Sequence, residues 1–345
     1  MQTKIIIADE NNLQVLAEPA KAVADGKLVA FPTETVYGLG ANAFDESAVK
    51  NIFKAKGRPS DNPLIVHICD KNDVGKLARE INENAKKLLD AFTPGPITLI
   101  FPKNRDINDA VTAGLDTVAV RIPIHPIARE LIRQSGVPIA APSANLSGKP
   151  SPTEAKHVIE DMNGRIEYII DGGACSVGVE STVVDVTGEV PVILRPGGIT
   201  LEDLQEIIPN STVDPHIVDT MLPNEKPKCP GMKYKHYAPK AQVIVIEGKT
   251  EKVHEKIKEL TEQYKAEGKK VGVMLKNKND TAGADYVLFA GETNREYAVN
   301  LFSYLRDFDE HNIDVILAEF EETDGMGMAV KNRLYKSAGN YIIHV

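Results

Sequence analysis

Three polar segments of the chain carry residue types that bind phosphates or carboxylates. In the first, KAKGRPSDNP, Lys54, Lys56 and Arg58 stand together at the predicted end of a helix. Three neighbouring cations suit an oligophosphate, because ammonium and guanidinium groups form charge-assisted hydrogen bonds with it. Basic residues also favour helix C-termini because they offset the helix dipole. The segment alone therefore leaves open both a phosphate site and an ordinary helix end.

The second segment, APSANLSGKPSPT, runs from an apolar strand into a loop of small polar residues. The loop contains Ser143, Asn145, Ser147, Gly148 and Ser151. Hydroxyls and backbone N–H groups of such loops bind anions. The same composition is also typical of a simple polar turn. Both interpretations remain open from this segment alone.

The third segment, FPTETVYGLGANA, ends a predicted strand in two threonines around Glu34. A Gly-rich turn is predicted next, at Gly38 and Gly40. Polar groups at the end of a strand commonly form the ligand edge of an open sheet. An ordinary loop between a strand and a helix fits the pattern equally well.

Four single positions near predicted strand ends add to these segments. Arg121 lies inside the apolar strand VAVRIP, where a guanidinium needs an anionic partner. His67 lies inside the apolar run PLIVHI, a setting more typical of a half-buried, hydrogen-bonded histidine than of a ligand-binding one. Ser181 follows Glu180 in GVESTVVD, and Arg195 precedes the PGG of another strand end. The polar residues thus collect at strand ends.

Composition excludes several classes of protein. The 345 residues have a net charge of −9, no Trp and 6% aromatic residues, so a surface that coats nucleic acid is not expected. The phosphate-binding patterns G-x-x-x-x-G-K-[ST] and G-x-G-x-x-G are absent, and so is any run of apolar residues long enough to span a membrane. Neither a signal peptide nor a metal-ligand cluster is predicted. The three cysteines are widely separated, which favours a reducing cytoplasm.

The order of apolar periods predicts an α/β protein with two domains. Residues 1–208 alternate strand-like and helix-like segments and predict one mixed sheet with helices. The segment DESAVKNIFKAKG predicts a helix capped by Asp45, with Val49, Ile52 and Phe53 on one face. Residues 209–237 lack a sustained period and predict a linker. Residues 238–345 predict a smaller Rossmann-like α/β domain, including an amphipathic helix over TEKVHEKIKELTEQYKAEG.

The motifs of the first domain resemble those of the YrdC-like family. KAKGR followed far downstream by PSAN matches that family's K-x-R and S-x-N pairs. FPTETVYGLG, RPSDNPLIVHI, TPGPITLI, VAVRIP, GVESTVVD and LRPGG are similar to its other blocks, in the same order. The linker's PGMKYKHYAP and the domain after it are similar to the long, two-domain members. The resemblance implies a twisted open mixed sheet with helices.

The resemblance also implies an activity and a set of site residues. Long members make threonylcarbamoyl-AMP and pyrophosphate from threonine, bicarbonate and ATP, for modification of tRNA next to the anticodon. ATP with magnesium would be bound by Lys56, Arg58, Asn62, Thr117, Ser143, Asn145, Ser151, Arg195, Tyr234 and His236, of which Lys56 and Arg58 would be the catalytic residues. L-Threonine would be bound by Thr35, His67, Arg121, Ala141 and Ser181.

Further expectations concern the linker and the partners. Lys233, Tyr234, Lys235 and His236 suit a lid over a nucleotide, and we expect the linker to act as one. The product would pass to a tRNA threonylcarbamoyl transferase. Two alternatives remain from the sequence: an RNA-binding module that uses the same basic cleft with weak RNA contact, and a carbamoyl or acyl transferase acting on another amine.

Overall fold

The computed structural model of the chain describes residues 2–217, 237–276, 283–321 and 325–345. The described residues fall into two compact units. One lies within Met1–Ser147 and Ser151–Lys233, and the other lies within Gly148–Pro150 and Tyr234–Val345. None of the helices in these ranges is long and apolar enough to cross a membrane.

The described part of the first unit contains one mixed sheet of eleven strands. Its strands are β1 (Lys4–Ile7), β2 (Val29–Phe31), β3 (Gly38–Asn42), β4 (Ile65–His67), β5 (Ile97–Pro102), β6 (Thr117–Arg121), β7 (Ile139–Ala141), β8 (Tyr168–Asp171), β9 (Thr182–Asp185), β10 (Val192–Arg195) and β11 (Thr212–Val213). Their order in the sheet is β1-β8-β2-β3-β7-β4-β6-β5-β9-β10-β11. The sheet contains both parallel pairs, such as β4 with β6, and antiparallel pairs, such as β5 with β6, which confirms the predicted mixed sheet.

Helices cover this sheet and bury its main core. They are α1 (Ala17–Ala24), α2 (Glu46–Lys56), α3 (Val74–Leu77), α4 (Glu83–Phe92), α5 (Asp109–Thr112), α6 (Pro126–Ser135), α7 (Ala155–Met162) and α8 (Leu201–Ile207). In α2 the predicted cap is confirmed, because the Asp45 carboxylate accepts hydrogen bonds from the backbone N–H groups of Ser47 and Ala48. The helix ends at Gly57, whose φ of 61° suits a residue without a Cβ.

One prediction for the first unit is wrong. Gly38 and Gly40 do not form a turn but lie in strand β3, which pairs antiparallel with β2. A Cβ on Gly40 would lie 2.7 Å from a methyl group of Ile139 and 2.9 Å from the ring of Phe31. These glycines therefore allow close packing over a strand, rather than a left-handed turn.

Part of the predicted linker belongs to the first unit's sheet. Strand β11 pairs in parallel with β10, so that Thr212 lies opposite Val192. A short 3-10 turn, Pro215–Ile217, follows it. The PGMKYKHYAP segment lies outside the described residues, apart from its last three residues.

The described part of the second unit forms a parallel sheet of five strands with helices, which confirms the predicted smaller α/β domain. The elements are β12 (Gln242–Glu247), α9 (Thr250–Ala266), β13 (Val271–Leu275), β14 (Tyr286–Phe289), α10 (Asn294–Glu310), β15 (Val315–Phe320), α11 (Gly325–Ser337) and β16 (Ile342–His344). The strand order is β14-β13-β15-β12-β16. Helix α9 buries Val253, Ile257, Leu260 and Tyr264, which form the stripe that its sequence predicts.

Candidate functional site

A row of residues crosses five strands of the first sheet. His67 on β4 lies beside Arg121 on β6, and Arg121 lies beside Thr98 on β5. The row continues through Val183 on β9 to Arg195 on β10. Residues paired in register on adjacent strands place their side chains on the same face of the sheet. The row therefore gathers polar side chains at one end of the central strands, which we call the Arg121 end.

The other end of these strands is marked by Thr117. It begins β6, four residues before Arg121, so the two residues lie about 13 Å apart along one face of the strand. Between the two ends, Ile65 on β4 lies beside Ala119 on β6 and Ala141 on β7. Residues that precede Ile65 or follow Ala141 therefore lie towards what we call the Thr117 end.

Lys56 ties the end of helix α2 to the loop at the Thr117 end. Its side chain is buried, and Nζ donates to the carbonyl oxygens of Ser143 at 2.5 Å and Asn145 at 2.6 Å. The Ser143 hydroxyl donates in turn to Oδ1 of Asn145 at 2.5 Å. Lys56 thereby fixes the shape of the PSAN loop and places a positive charge beside it.

Arg58 and Asn62 lie in the loop that follows α2. Arg58 is half-buried, and its Nη2 lies 3.4 Å from the carbonyl oxygen of Asn62. The side chain of Asn62 is fully buried, yet neither its amide nitrogen nor its amide oxygen has a hydrogen-bond partner. Burying an unpaired amide is costly unless something supplies the missing bonds. Lys54, in contrast, is exposed, and its ammonium group donates to nearby Asn51.

A buried ion pair lies at the Arg121 end. Nη2 of Arg121 donates to Oε1 of Glu34 at 2.7 Å, and each side chain is only 5% exposed. Glu34 belongs to the loop between β2 and β3, where the hydroxyls of Thr33 and Thr35 are 2.9 Å apart. The anionic partner that the sequence requires for Arg121 is therefore Glu34 within the fold.

His67 is a buried, neutral member of the row. Burial, and next the charge of Arg121, lowers the pKa of His67 from its usual 6.5 to about 3. Its Nδ1 lies 3.1 Å from the carbonyl oxygen of Ile65, and the ring of Phe31 meets its ring edge-on. The imidazole is therefore neutral at physiological pH.

Two loops meet beside the row through Ser181. The Ser181 and Thr98 hydroxyls are 2.7 Å apart, and Arg195 donates to the carbonyl oxygen of Ser181 through Nε at 3.1 Å and Nη2 at 3.0 Å. Ser151 donates to Oε1 of Glu180 at 2.6 Å. These contacts fix the GVEST and LRPGG loops next to the Arg121 end.

Two family profiles together match most of the chain. A family profile described as "Telomere recombination" matches residues 21–197. A second profile, described as "Threonylcarbamoyl-AMP synthase, C-terminal domain", matches residues 199–339. The chain belongs to the threonylcarbamoyl-AMP synthase family.

Individual members of that family match nearly the whole chain. A threonylcarbamoyl-AMP synthase from Pyrococcus abyssi is 55% identical, with 94% of each chain covered. One from Bacillus subtilis is 49% identical over 99% of this chain and 100% of its own. A crystal structure of P. abyssi Sua5 complexed with L-threonine matches with a TM-score of 0.95 and 53% identity, over 99% of this chain and 100% of that one.

Most of the predicted site residues divide between the two ends, while Thr35 contacts Thr33 in the loop of Glu34 and Ser151 contacts Glu180 next to Ser181. Those at or near the Thr117 end are Lys56, Arg58, Asn62, Thr117, Ser143 and Asn145, all predicted to bind ATP. Those at the Arg121 end are His67, Arg121 and Ser181, predicted for threonine, together with Arg195, predicted for ATP. Ala141 lies between the ends. Tyr234 and His236 lie outside the described residues.

Sequence reasoning did not assign roles to three polar residues that the structure brings into the site. Glu34 pairs with Arg121, Thr98 contacts Ser181, and Glu180 accepts from Ser151. A signal for Thr98 exists in its own strand, because ITLIFP holds one hydroxyl residue among apolar ones. Glu34 gives a weaker signal, since a carboxylate in a loop is usually solvated.

No three His, Cys, Asp or Glu side chains of the described residues cluster in a way that could hold a metal ion. A magnesium ion that arrives on ATP is bound mainly by phosphate oxygens and water and needs few protein ligands. The cations and amides at the Thr117 end are suited to the phosphates themselves.

Proposed function

We propose that this chain synthesises threonylcarbamoyl-AMP from ATP, L-threonine and bicarbonate and releases pyrophosphate. The observation that carries the proposal is the separation of polar residues between the Thr117 end and the Arg121 end, whose two marker residues lie about 13 Å apart along β6. One group suits phosphates, and the other suits an amino acid. Membership of the threonylcarbamoyl-AMP synthase family supports the same reaction.

At the Thr117 end, the chain's own residues bind the triphosphate. Arg58 offers a guanidinium to phosphate oxygens, and the amide of Asn62 gains the hydrogen bonds that it lacks in the fold. Lys56 contributes positive charge while holding Ser143 and Asn145 in place. Magnesium, bound through the phosphates, would offset their negative charge.

At the Arg121 end, the residues bind threonine. Arg121 binds its carboxylate, because a guanidinium meets a carboxylate through directed, charge-assisted hydrogen bonds. Thr35, His67 and Ser181 surround the rest of the molecule with hydroxyls and a neutral imidazole. Ala141, on β7 between the two ends, lies beside the path from threonine to the phosphates.

The reaction needs no nucleophile from the protein. The amine of threonine and bicarbonate give a carbamate and water; a carbamate oxygen then bonds to the α-phosphorus as the bond to pyrophosphate breaks. Catalysis consists of holding the two reactants in line and stabilising charge on the phosphates. Arg58 and Lys56 provide that charge.

The product is a labile mixed anhydride, and this property sets its partners. We propose that it passes to a tRNA threonylcarbamoyl transferase in the cytoplasm and that the linker, with Tyr234 and His236, protects it as a lid. We also propose that Ser151 and Arg195 contact ATP. The family relatives are named as synthases, so the RNA-binding alternative is not favoured.

The decisive experiment measures pyrophosphate release while each substrate is omitted in turn. We expect release to require ATP, threonine and bicarbonate together and to stop when magnesium is chelated. Release without bicarbonate, or with any amine in place of threonine, would contradict the proposal.

A matched pair of variants locates the ATP site. Arg58→Ala should lower kcat/KM for ATP by about tenfold or more, since a charged hydrogen bond contributes about 1.5–3 kcal/mol. Lys54→Ala, in the same motif but exposed to solvent, should leave the value unchanged. Equal effects in both variants would mean that only general positive charge matters.

A further inference from the structure

The ion pair at the Arg121 end has bonding capacity that the fold does not use. Oε1 of Glu34 accepts from Arg121, while Oε2 of Glu34 is buried without a hydrogen-bond partner. Nε of Arg121 is likewise buried without a partner. One ion pair thus holds both an unused acceptor with negative charge and an unused donor with positive charge.

A ligand with both an ammonium and a carboxylate group fits this arrangement best. A simple carboxylate would satisfy Arg121 but would place two anions side by side, which is unfavourable where little water screens them. A simple amine would satisfy Glu34 and leave Arg121 as it is. An α-amino acid carries both groups on one carbon and can serve both partners.

We propose that the carboxylate of Glu34 binds the α-ammonium group of threonine, while Arg121 binds the α-carboxylate. This assignment rests on the proposed function and adds a residue to its threonine site. Glu34 is thereby the residue that selects an amino acid over a hydroxy acid, and it places the nitrogen on which the carbamate forms.

The loop around Glu34 is held in place before any ligand binds. The backbone carbonyl oxygen of Glu34 accepts a hydrogen bond from the N–H of Val177 at 2.8 Å. The hydroxyl oxygen of Thr33 accepts from the N–H groups of Thr35 and Val36, both at 3.2 Å. A carboxylate fixed in this way binds a ligand without a further entropic cost of ordering its loop.

The neighbours of Glu34 do not replace the ligand's positive charge. Burial lowers the pKa of His125, although the charge of Glu34 opposes that shift, so His125 is neutral at physiological pH. Burial, and next the charge of Glu34, raises the pKa of the Cys175 thiol, which is also neutral. Arg121 is the cation that contacts Glu34 within the described residues.

Calorimetric titration can test the assignment directly. The two ligands are L-threonine and the hydroxy acid in which its amino group is replaced by a hydroxyl. We expect the wild-type protein to bind threonine at least about tenfold more tightly than the hydroxy acid. In Glu34→Gln, which is isosteric but uncharged, that preference should fall to less than about threefold. Glu167→Gln is the control, because it neutralises a carboxylate that accepts from the Leu28 N–H and does not contact Arg121. It should keep the wild-type preference.

The outcomes separate this inference from the proposed function. A wild-type protein that does not bind threonine would overturn both. Threonine binding with an unchanged preference in folded Glu34→Gln would overturn the role of Glu34 alone. If Glu34→Gln does not fold, as thermal unfolding would show, the wild-type comparison still decides, because equal affinity for the two ligands would contradict an ammonium subsite.

Discussion

Two buried arginines in one row of the sheet are used in different ways. Arg121 and Arg195 are each 5% exposed, and each lies at the end of a strand. Arg195 directs Nε and Nη2 at the carbonyl oxygen of Ser181 and also contacts its hydroxyl at 3.1 Å. Arg121 makes one bond to Glu34 and keeps Nε without a partner.

The difference separates a loop-holding role, which Arg195 has in addition to its proposed contact with ATP, from the binding role of Arg121. A guanidinium whose nitrogens bond a backbone carbonyl holds a loop to the sheet. A buried guanidinium with an unused N–H is costly by itself, so its retention points to a ligand. Residue type and exposure are the same in both cases, and only the partners distinguish them.

We expect the largest loss of stability from a substitution that disturbs the loop next to Arg195. In Gly197→Ala the new Cβ would lie 2.4 Å from the carbonyl oxygen of Glu180 and from the backbone nitrogen of Thr182. Backbone atoms cannot yield as a flexible side chain can, so we expect a loss of about 3 kcal/mol or more in stability. Denaturant unfolding measures it. Gly188→Ala is the control, because a Cβ there meets nothing within 4 Å; equal stability of the two variants would contradict the close approach.

Lysine substitutions test the comparison itself. Arg195→Lys keeps the charge but loses the fork onto Ser181, and we expect it to lower the free energy of unfolding by about 2 kcal/mol. Arg121→Lys should cost less than about 1 kcal/mol in stability but weaken threonine binding by about tenfold or more. Thermal unfolding and calorimetry on both variants supply the four values. The reverse pattern would assign the structural role to Arg121.

The smallest effect concerns acid stability and His67. Because its folded pKa of about 3 lies below the usual 6.5, the unfolded chain takes up a proton first as the pH falls. The neutral form thus favours folding above pH 6.5, and this contribution is lost as the pH falls towards 3. We expect the free energy of unfolding to fall by about 1.5 kcal/mol between pH 6.5 and about pH 5 because of His67. In His67→Gln this part of the pH dependence should be absent. Identical slopes for wild type and variant, measured by urea unfolding, would show that His67 is not buried.

Much of the fold could be predicted from local pattern. The cap at Asp45, the buried face of α2 and the stripe of α9 follow from residue type and spacing within one helix. The motif segments around Lys56 and Ser143 could be singled out in the same way, since polar residues at strand ends carry a local signal. Lys54 and Lys56 could not be told apart, because only burial against the PSAN loop separates them.

The sequence by itself determined the α/β class, the helices and strands expected in each domain, and which polar residues could bind phosphate or carboxylate groups. These depend on periodicity and composition over short windows. Tertiary structure alone decided that Gly38 and Gly40 lie in a strand, because the atoms they avoid belong to Phe31 and to Ile139, about a hundred residues away. It also decided that Glu34 pairs with Arg121, 87 positions along the chain, and that one atom of each stays unused. Such pairings depend on the register of strands distant in sequence, and no local pattern contains that register.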